Sequence, residues 1–258
     1  MAAKLKTNEI EKLEYVHLQR IRYNFLDNFN EIMDGLNSRL KIKNDWYDQF
    51  ISSKSNAASD MEMGAERIFH YIFSQVMKHP NSSPIGSDLM YETFDSFIHI
   101  DVKTISESNW GDYKGKVVVE PNQTSYPLEK YQLSPNLPSF YSATFEKNSK
   151  TYKKPALTYF IYVLHKHASK KIYSILLVCM PNGELYGLYG DKILNAGKNK
   201  RHNIRYSFRQ EPRFLLLSEE MQRDIFRIEF LQKSKELSQE KLIGIPAEKH
   251  KIPVWIEV

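Results

Sequence analysis

Toward the start of the chain, apolar residues recur at three- and four-residue spacing: Ile10, Leu13, Val16, Leu18, Ile21, Phe25, Phe29, Ile32, Leu36 and Leu40, with charges between them. That period is helical and predicts helix from residue 8 to about 50, with a break at Gly35. The polar stretch SSKSNAAS, residues 52–59, reads as a loop. Ala65, Ile68, Phe69, Ile72 and Val76 then form a second apolar stripe, predicting a helix over 60–78 capped by Ser59 or Asp60. HPNSSPIGS, residues 79–87, breaks any regular period and predicts a loop.

Beyond it the pattern turns to strands. Residues 87–93 and 97–104 predict a hairpin, and VVVEPNQTSY from 117 a strand running into a turn. ALTYFIYVL (156–164) and IYSILLVCM (172–180) read as buried strands. Asn182-Gly183 predicts a hairpin turn into ELYGLYG, and Ser218 with Glu219 and Glu220 starts a last helix over 218–238. Helices, a mixed sheet and a closing helix make one α/β or α+β domain the expected architecture, with no repeat or linker to divide it.

On the hairpin, period-two alternation puts Ile98, Ile100 and Val102 on one face and His99, Asp101 and Lys103 on the other. On the preceding strand, Asp88, Met90 and Glu92 share a face. With a turn of two or four residues around Phe94 to Ser96, Asp88 lies across from Asp101, roughly 5 Å apart in an antiparallel pair, whereas a shift by one residue takes Asp88 off that face. Two such carboxylates repel unless a cation lies between them, and Mg²⁺ takes this kind of hard oxygen set. Lys103, on the same face, can then meet a phosphate oxygen or an attacking water, the layout of a phosphodiester-hydrolysis site. A solvent-facing hairpin with a cross-strand salt bridge fits the same pattern. An acid-x-Lys spacing recurs at Asp112 and Lys114, where flanking Gly111 and Gly115 indicate a turn.

The run from Asp88 through the hairpin to IHIDVKT resembles the PD-(D/E)xK nuclease signature of type II restriction endonucleases. Its order and spacing are most similar to the EcoRV and HincII branch, with Gly86-Ser87 where the name places Pro. The resemblance spans residues 60–126. It implies a restriction-endonuclease-like mixed sheet flanked by helices, Asp88 and Asp101 as metal ligands and Lys103 as the catalytic lysine. It also offers Glu66, on the helix before the hairpin, as a further catalytic acid, although an exposed helix glutamate explains that residue equally well. Implied with it are Mg²⁺, 5′-phosphate ends, a double-stranded DNA substrate, a homodimer matched to a palindromic target, and a companion DNA methyltransferase. On that reading residues 1–258 form a single endonuclease domain: an N-terminal helical region (1–58), a catalytic core (59–130), and the remaining sheet with a basic loop (131–258).

Two segments are expected to touch DNA. Asn122, Gln123, Thr124, Ser125 and Tyr126 follow the catalytic strand with a dense set of hydrogen-bonding groups. The run 192–213 carries seven basic residues against one acid, Glu211, and its tip and following strand supply Lys198, Asn199, Lys200, Arg201, Asn203 and Arg205. A net charge of +5 over 258 residues suits a polyanionic partner. The single Cys179 permits no internal disulfide, and no apolar run approaches membrane-spanning length, so a bacterial cytoplasmic location is expected. No P-loop or Rossmann glycine pattern is present, which argues against nucleotide dependence. A repair or junction-resolving nuclease of the same superfamily and a non-catalytic DNA-binding protein are the competing readings.

Overall fold

The computed structural model describes residues 5–37, 57–76, 87–109, 114–142, 153–166, 171–197 and 204–258. Its centre is a sheet of seven strands in the order β1-β2-β5-β6-β9-β10, with β4 also on β5. The strands are β1 (Leu89–Glu92), β2 (Phe97–Ser106), β4 (Phe140–Ser142), β5 (Lys153–His165), β6 (Ile172–Met180), β9 (Ile228–Lys233) and β10 (Val254–Glu257). β1 runs antiparallel to β2, β2 parallel to β5, and β5, β6 and β9 antiparallel in turn. A second, three-stranded sheet holds β3 (Val117–Val119), β8 (Ile204–Tyr206) and β7 (Leu194–Asn195) in that order.

The central strands are apolar on both faces because both faces are covered. Ile98, Ile100 and Val102 of β2 share a core with Leu157, Tyr159, Ile161, Leu177 and Leu231. That core is closed by Leu18, Ile21 and Phe25 of α1 (Thr7–Asp27), Ile32 and Leu36 of α2 (Phe29–Asn37), and Ile68, Phe69 and Phe73 of α3 (Ala57–Val76). On the other face Phe160, Tyr162, Val178 and Phe230 pack against Val117 and Val119 of β3, Tyr206 of β8, and Tyr126. The molecule is thus layered as helices, large sheet, small sheet, with one face of β2 turned to each side.

Several expectations are corrected. The first helix ends at Asp27 and a new one starts at Phe29, so the break falls at Asn28 rather than Gly35. Gly35 lies within α2, where an added Cβ would come within 2.6 Å of Ile68 Cδ1; the glycine permits close packing of α2 on α3. Residues 38–56 lie outside the described residues. α3 begins at Ala57, so Ser59 and Asp60 sit inside the helix and do not cap it.

Asn182-Gly183 opens helical turns, Gly183–Leu185 and α4 (Tyr186–Tyr189), instead of a hairpin. Asn182 caps the first of these by accepting the Glu184 N–H. Gly183 is needed because a Cβ there would lie 2.2 Å from the Ser125 carbonyl oxygen. The predicted closing helix is a short α5 (Leu215–Met221) followed by strand β9, with α6 (Gln239–Ile243) further on. Among the described residues no helix is long and apolar enough to cross a membrane.

Candidate active site

The hairpin register sets the site. Leu89 pairs with Ile100, Met90 with His99 and Tyr91 with Ile98, so one step past the ladder Asp88 stands across from Asp101. Asp88 is held there by the Val102 N–H, which donates to its Oδ2 at 2.6 Å. The turn between the strands is tied by Thr93, whose N–H donates to the Ser96 carbonyl at 2.8 Å and whose hydroxyl donates to Asp95 at 2.9 Å. His17 of α1 lies 2.8 Å from Asp95, and Lys154 of β5 donates to Glu92 at 2.8 Å. The β1–β2 hairpin is therefore fixed at its tip by a helix and by a neighbouring strand. Glu92, on the Asp88 face, is engaged by Lys154.

Asp101 is 2% exposed. Lys103 Nζ lies 2.7 Å from its Oδ1 as an ionic contact, while that oxygen accepts no directed hydrogen bond. Its other oxygen, Oδ2, accepts from the Gln123 side-chain amide. Burial pushes the Asp101 carboxyl up to about 7, the Lys103 ammonium opposing and the Asp88 carboxylate adding to the rise. A buried carboxyl beside a second one releases its proton most readily when a cation arrives. The donors are oxygens, and one of them lacks a directed partner, so the pair fits a hard divalent cation. No third His, Cys, Asp or Glu joins them among the described residues in a group that could hold a metal. Glu66 is half-buried on α3, whose apolar residues pack on the Ile98, Ile100 and Val102 face of β2, and among the described residues it forms no group of three acids that could hold a metal.

The wall of the site comes from the small sheet. Tyr162 of β5 is in register with Lys103, and burial raises its pKa, with Asp101 adding to the rise and Arg205 opposing it. Arg205 pairs with Val118 across β3 and β8 and is 6% exposed. It is a buried cation near the site and not part of an exposed basic face. His99 is buried against Tyr141, ring centroids 5.8 Å apart, and makes no hydrogen bond through either ring nitrogen. Burial holds its pKa down to about 4, so the imidazole is neutral near pH 7.

The first expected DNA segment is mostly turned inward. Thr124 Oγ1 accepts the Tyr126 N–H, Ser125 Oγ accepts the Gly183 N–H, and the Tyr126 hydroxyl donates to the Gly190 carbonyl. Those three side chains are buried and serve the fold, which leaves Asn122, half-buried, as the open member of the run. Gln123 instead donates to Asp101, a placement the sequence did not signal. The tip residues Lys198, Asn199, Lys200, Arg201 and Asn203 lie outside the described residues. Elsewhere in the basic run Glu211 does compensate, pairing with Lys192 at 3.6 Å and Arg213 at 3.2 Å, and Asp224 adds a second acid to Arg213. Asp112 and Tyr113 also lie outside the described residues, while Gly115 adopts φ +70, as the expected turn requires.

Two family descriptions match the chain: type II restriction enzyme MwoI, N-terminal domain, over residues 6–169, and the central domain of the same enzyme over 172–228. Among solved structures, the chain is similar to restriction endonuclease BglI bound to its DNA recognition sequence, at 15% identity and a TM-score of 0.59, covering 86% of this chain and 91% of that one. It is also similar to tetrameric restriction endonuclease SfiI bound to cognate DNA, at 13% identity and 0.56, covering 80% and 81%. At those identities the likeness bears on the fold. No curated protein matches the chain.

Proposed function

The chain belongs to the MwoI family of type II restriction enzymes, a family of site-specific deoxyribonucleases, and from that premise we propose that the β1–β2 hairpin is its catalytic centre. The observation that carries this reading is the opposition of Asp88 and Asp101 with the Lys103 ammonium 2.7 Å from Asp101 Oδ1. Asp88 and Asp101 would hold a divalent cation, Mg²⁺ by the chemistry of the oxygen donors. When bound, that ion supplies positive charge to the scissile phosphate and acidifies water beside it. Lys103 stabilises the charge that grows on the phosphate oxygens as the P–O bond forms. The reaction adds water across the P–O3′ bond, oxygen to phosphorus and proton to O3′, leaving a 5′-phosphate and a 3′-hydroxyl.

The substrate on this reading is double-stranded DNA, the assembly a homodimer whose two-fold axis matches a palindromic site, and the setting the bacterial cytoplasm beside a methyltransferase of the same specificity. BglI and SfiI with DNA bound support the partner, and the tetrameric SfiI makes a larger assembly the alternative to a dimer. Within the class, the spacing from Asp88 to IHIDVKT supports a motif layout of the EcoRV and HincII kind. Glu66, carried by α3, is kept only as a candidate further acid. Asn122 and the tip residues Lys198, Asn199, Lys200, Arg201 and Asn203 are the candidate DNA contacts.

Digestion of supercoiled plasmid with Mg²⁺, followed by sequencing of the ends, tests the function. A few discrete sites bearing 5′-phosphates, with linear product appearing directly, are expected. Nicked circles as the end product would contradict a paired-site enzyme, and random ends would contradict site specificity.

A further inference from the structure

Gln123 closes the short turn Pro121–Gln123 that follows β3, and it is 8% exposed. Both ends of its side chain are engaged. Its Oε1 accepts the Glu120 N–H at 3.0 Å, which settles the orientation of the amide, and its Nε2 donates to Asp101 Oδ2. The turn is itself anchored: the Gln123 N–H donates to the Glu120 carbonyl at 2.9 Å and the Asn136 N–H to the Pro121 carbonyl at 2.7 Å. Beyond it Thr124, Ser125 and Tyr126 pin the chain to its neighbours. The amide therefore arrives at Asp101 from a rigid support.

We propose that Gln123 is a positioning residue for Asp101: its amide fixes Oδ2 and leaves Oδ1 free to face Lys103 and a cation. The inference rests on the reading of the hairpin as a metal-dependent nuclease site. Asp101 is in register with the apolar Phe160, and its charged neighbours are the Lys103 ammonium, 2.7 Å from Oδ1, and the Asp88 carboxylate. A neutral donor restrains the carboxylate without cancelling the charge the cation needs, whereas a second ammonium would compete with the metal. Asp88 is treated in the same way, its Oδ2 restrained by the Val102 backbone N–H. Each aspartate thus has one oxygen tied to a neutral N–H, and the hydrogen-bond partners of metal ligands govern affinity in this manner.

The test is Mn²⁺ titration of the full chain by electron paramagnetic resonance, with melting temperature and metal-free duplex binding measured alongside. Gln123→Met, close in volume but unable to donate, is expected to weaken Mn²⁺ binding about 10- to 100-fold. Its duplex affinity should stay near wild type, and its melting temperature should fall only by what losing the acceptor of the Glu120 N–H costs. Gln123→Asn, which keeps the amide but is one methylene too short to span Glu120 and Asp101, should behave alike, and it serves if the methionine variant does not fold. Unchanged Mn²⁺ affinity, with binding abolished in Asp101→Asn, would overturn the role of Gln123 and leave the site reading intact. Loss of duplex affinity alone would return Gln123 to the DNA contacts. A wild type that binds no Mn²⁺, or an Asp101→Asn variant that binds it normally, would overturn the site reading and the inference with it.

Discussion

His99 and Asp101 share one face of β2, both nearly inaccessible, and burial drives their pKa values in opposite directions. His99 is held near 4 against an ordinary 6.5, so the unfolded chain takes up a proton between those values while the fold does not. Its contribution to stability is present above pH 6.5 and is lost as the pH falls towards 4. Asp101, raised from 3.8 to about 7, has the opposite slope: the fold favours its protonated form, so its contribution falls as the pH rises across that range. The two partly cancel in the wild type, and a difference measurement separates them. Urea unfolding of wild type and His99→Phe at pH 7 and pH 4 should show the difference in stability shifting by up to roughly 3 kcal/mol in favour of the variant at acid pH. A pH-independent difference would mean that His99 is not held neutral. The charges at 88, 101 and 103 were legible in the sequence because alternation in a short hairpin dictates their faces. The partner of Asp101 was not, since nothing in PNQTSY signals that its glutamine folds back onto a strand some twenty residues earlier.

At the scale of elements, the same face rule failed at β9. Residues 218–238 carry alternating charges and apolar residues that read as an amphipathic helix, yet Ile228–Lys233 is a central strand. Arg227 and Glu229, which a helix would turn to solvent, are buried against α1 instead. Arg227 meets Glu14 at 2.7 Å and Glu11 at 3.3 Å, and Glu229 meets Arg22 at 3.1 Å. The carboxylates have further donors: the Asn182 N–H to Glu14, the Leu217 N–H and Tyr189 hydroxyl to Glu11, and the Trp255 indole to Glu229. Sequence periodicity cannot distinguish a solvated charge from one paired across the core. Removing one partner of such a network leaves the others desolvated. Arg227→Met should therefore lose about 3–5 kcal/mol of stability in urea unfolding. Adding Glu11→Gln and Glu14→Gln should recover much of that loss; no recovery would mean that packing rather than charge sets the cost. Since α1 also carries His17, which holds the hairpin tip through Asp95, this network ties the placing of the β1–β2 hairpin to the far side of the sheet.

For the whole molecule, the order of layers explains why a nuclease site can form here. One face of β2 is sealed by α1, α2 and α3, so the strand cannot shift register without exposing Ile98, Ile100 and Val102. The opposite face, under the small sheet, is where Asp101, Lys103, Tyr162 and Gln123 come together. Fold class followed from apolar alternation, whereas the hairpin register depended on the length of the turn, and the pairing of Leu89 with Ile100 supplies it. The small sheet was only partly legible: its strands are two or three residues long, too short for periodicity to register. The charge balance of the basic run was only partly legible: Glu211 lies within it, but Asp224, which adds a second acid to Arg213, reaches it through the fold. The central claim is that duplex DNA is cut at this hairpin, and single-turnover cleavage of plasmid with saturating Mg²⁺ by wild type, Lys103→Ala and Asp101→Asn tests it most directly. The account predicts a rate lower by at least about 100- to 1,000-fold in each variant, with duplex binding retained. Cleavage at the wild-type rate by either variant would place the chemistry elsewhere in the molecule.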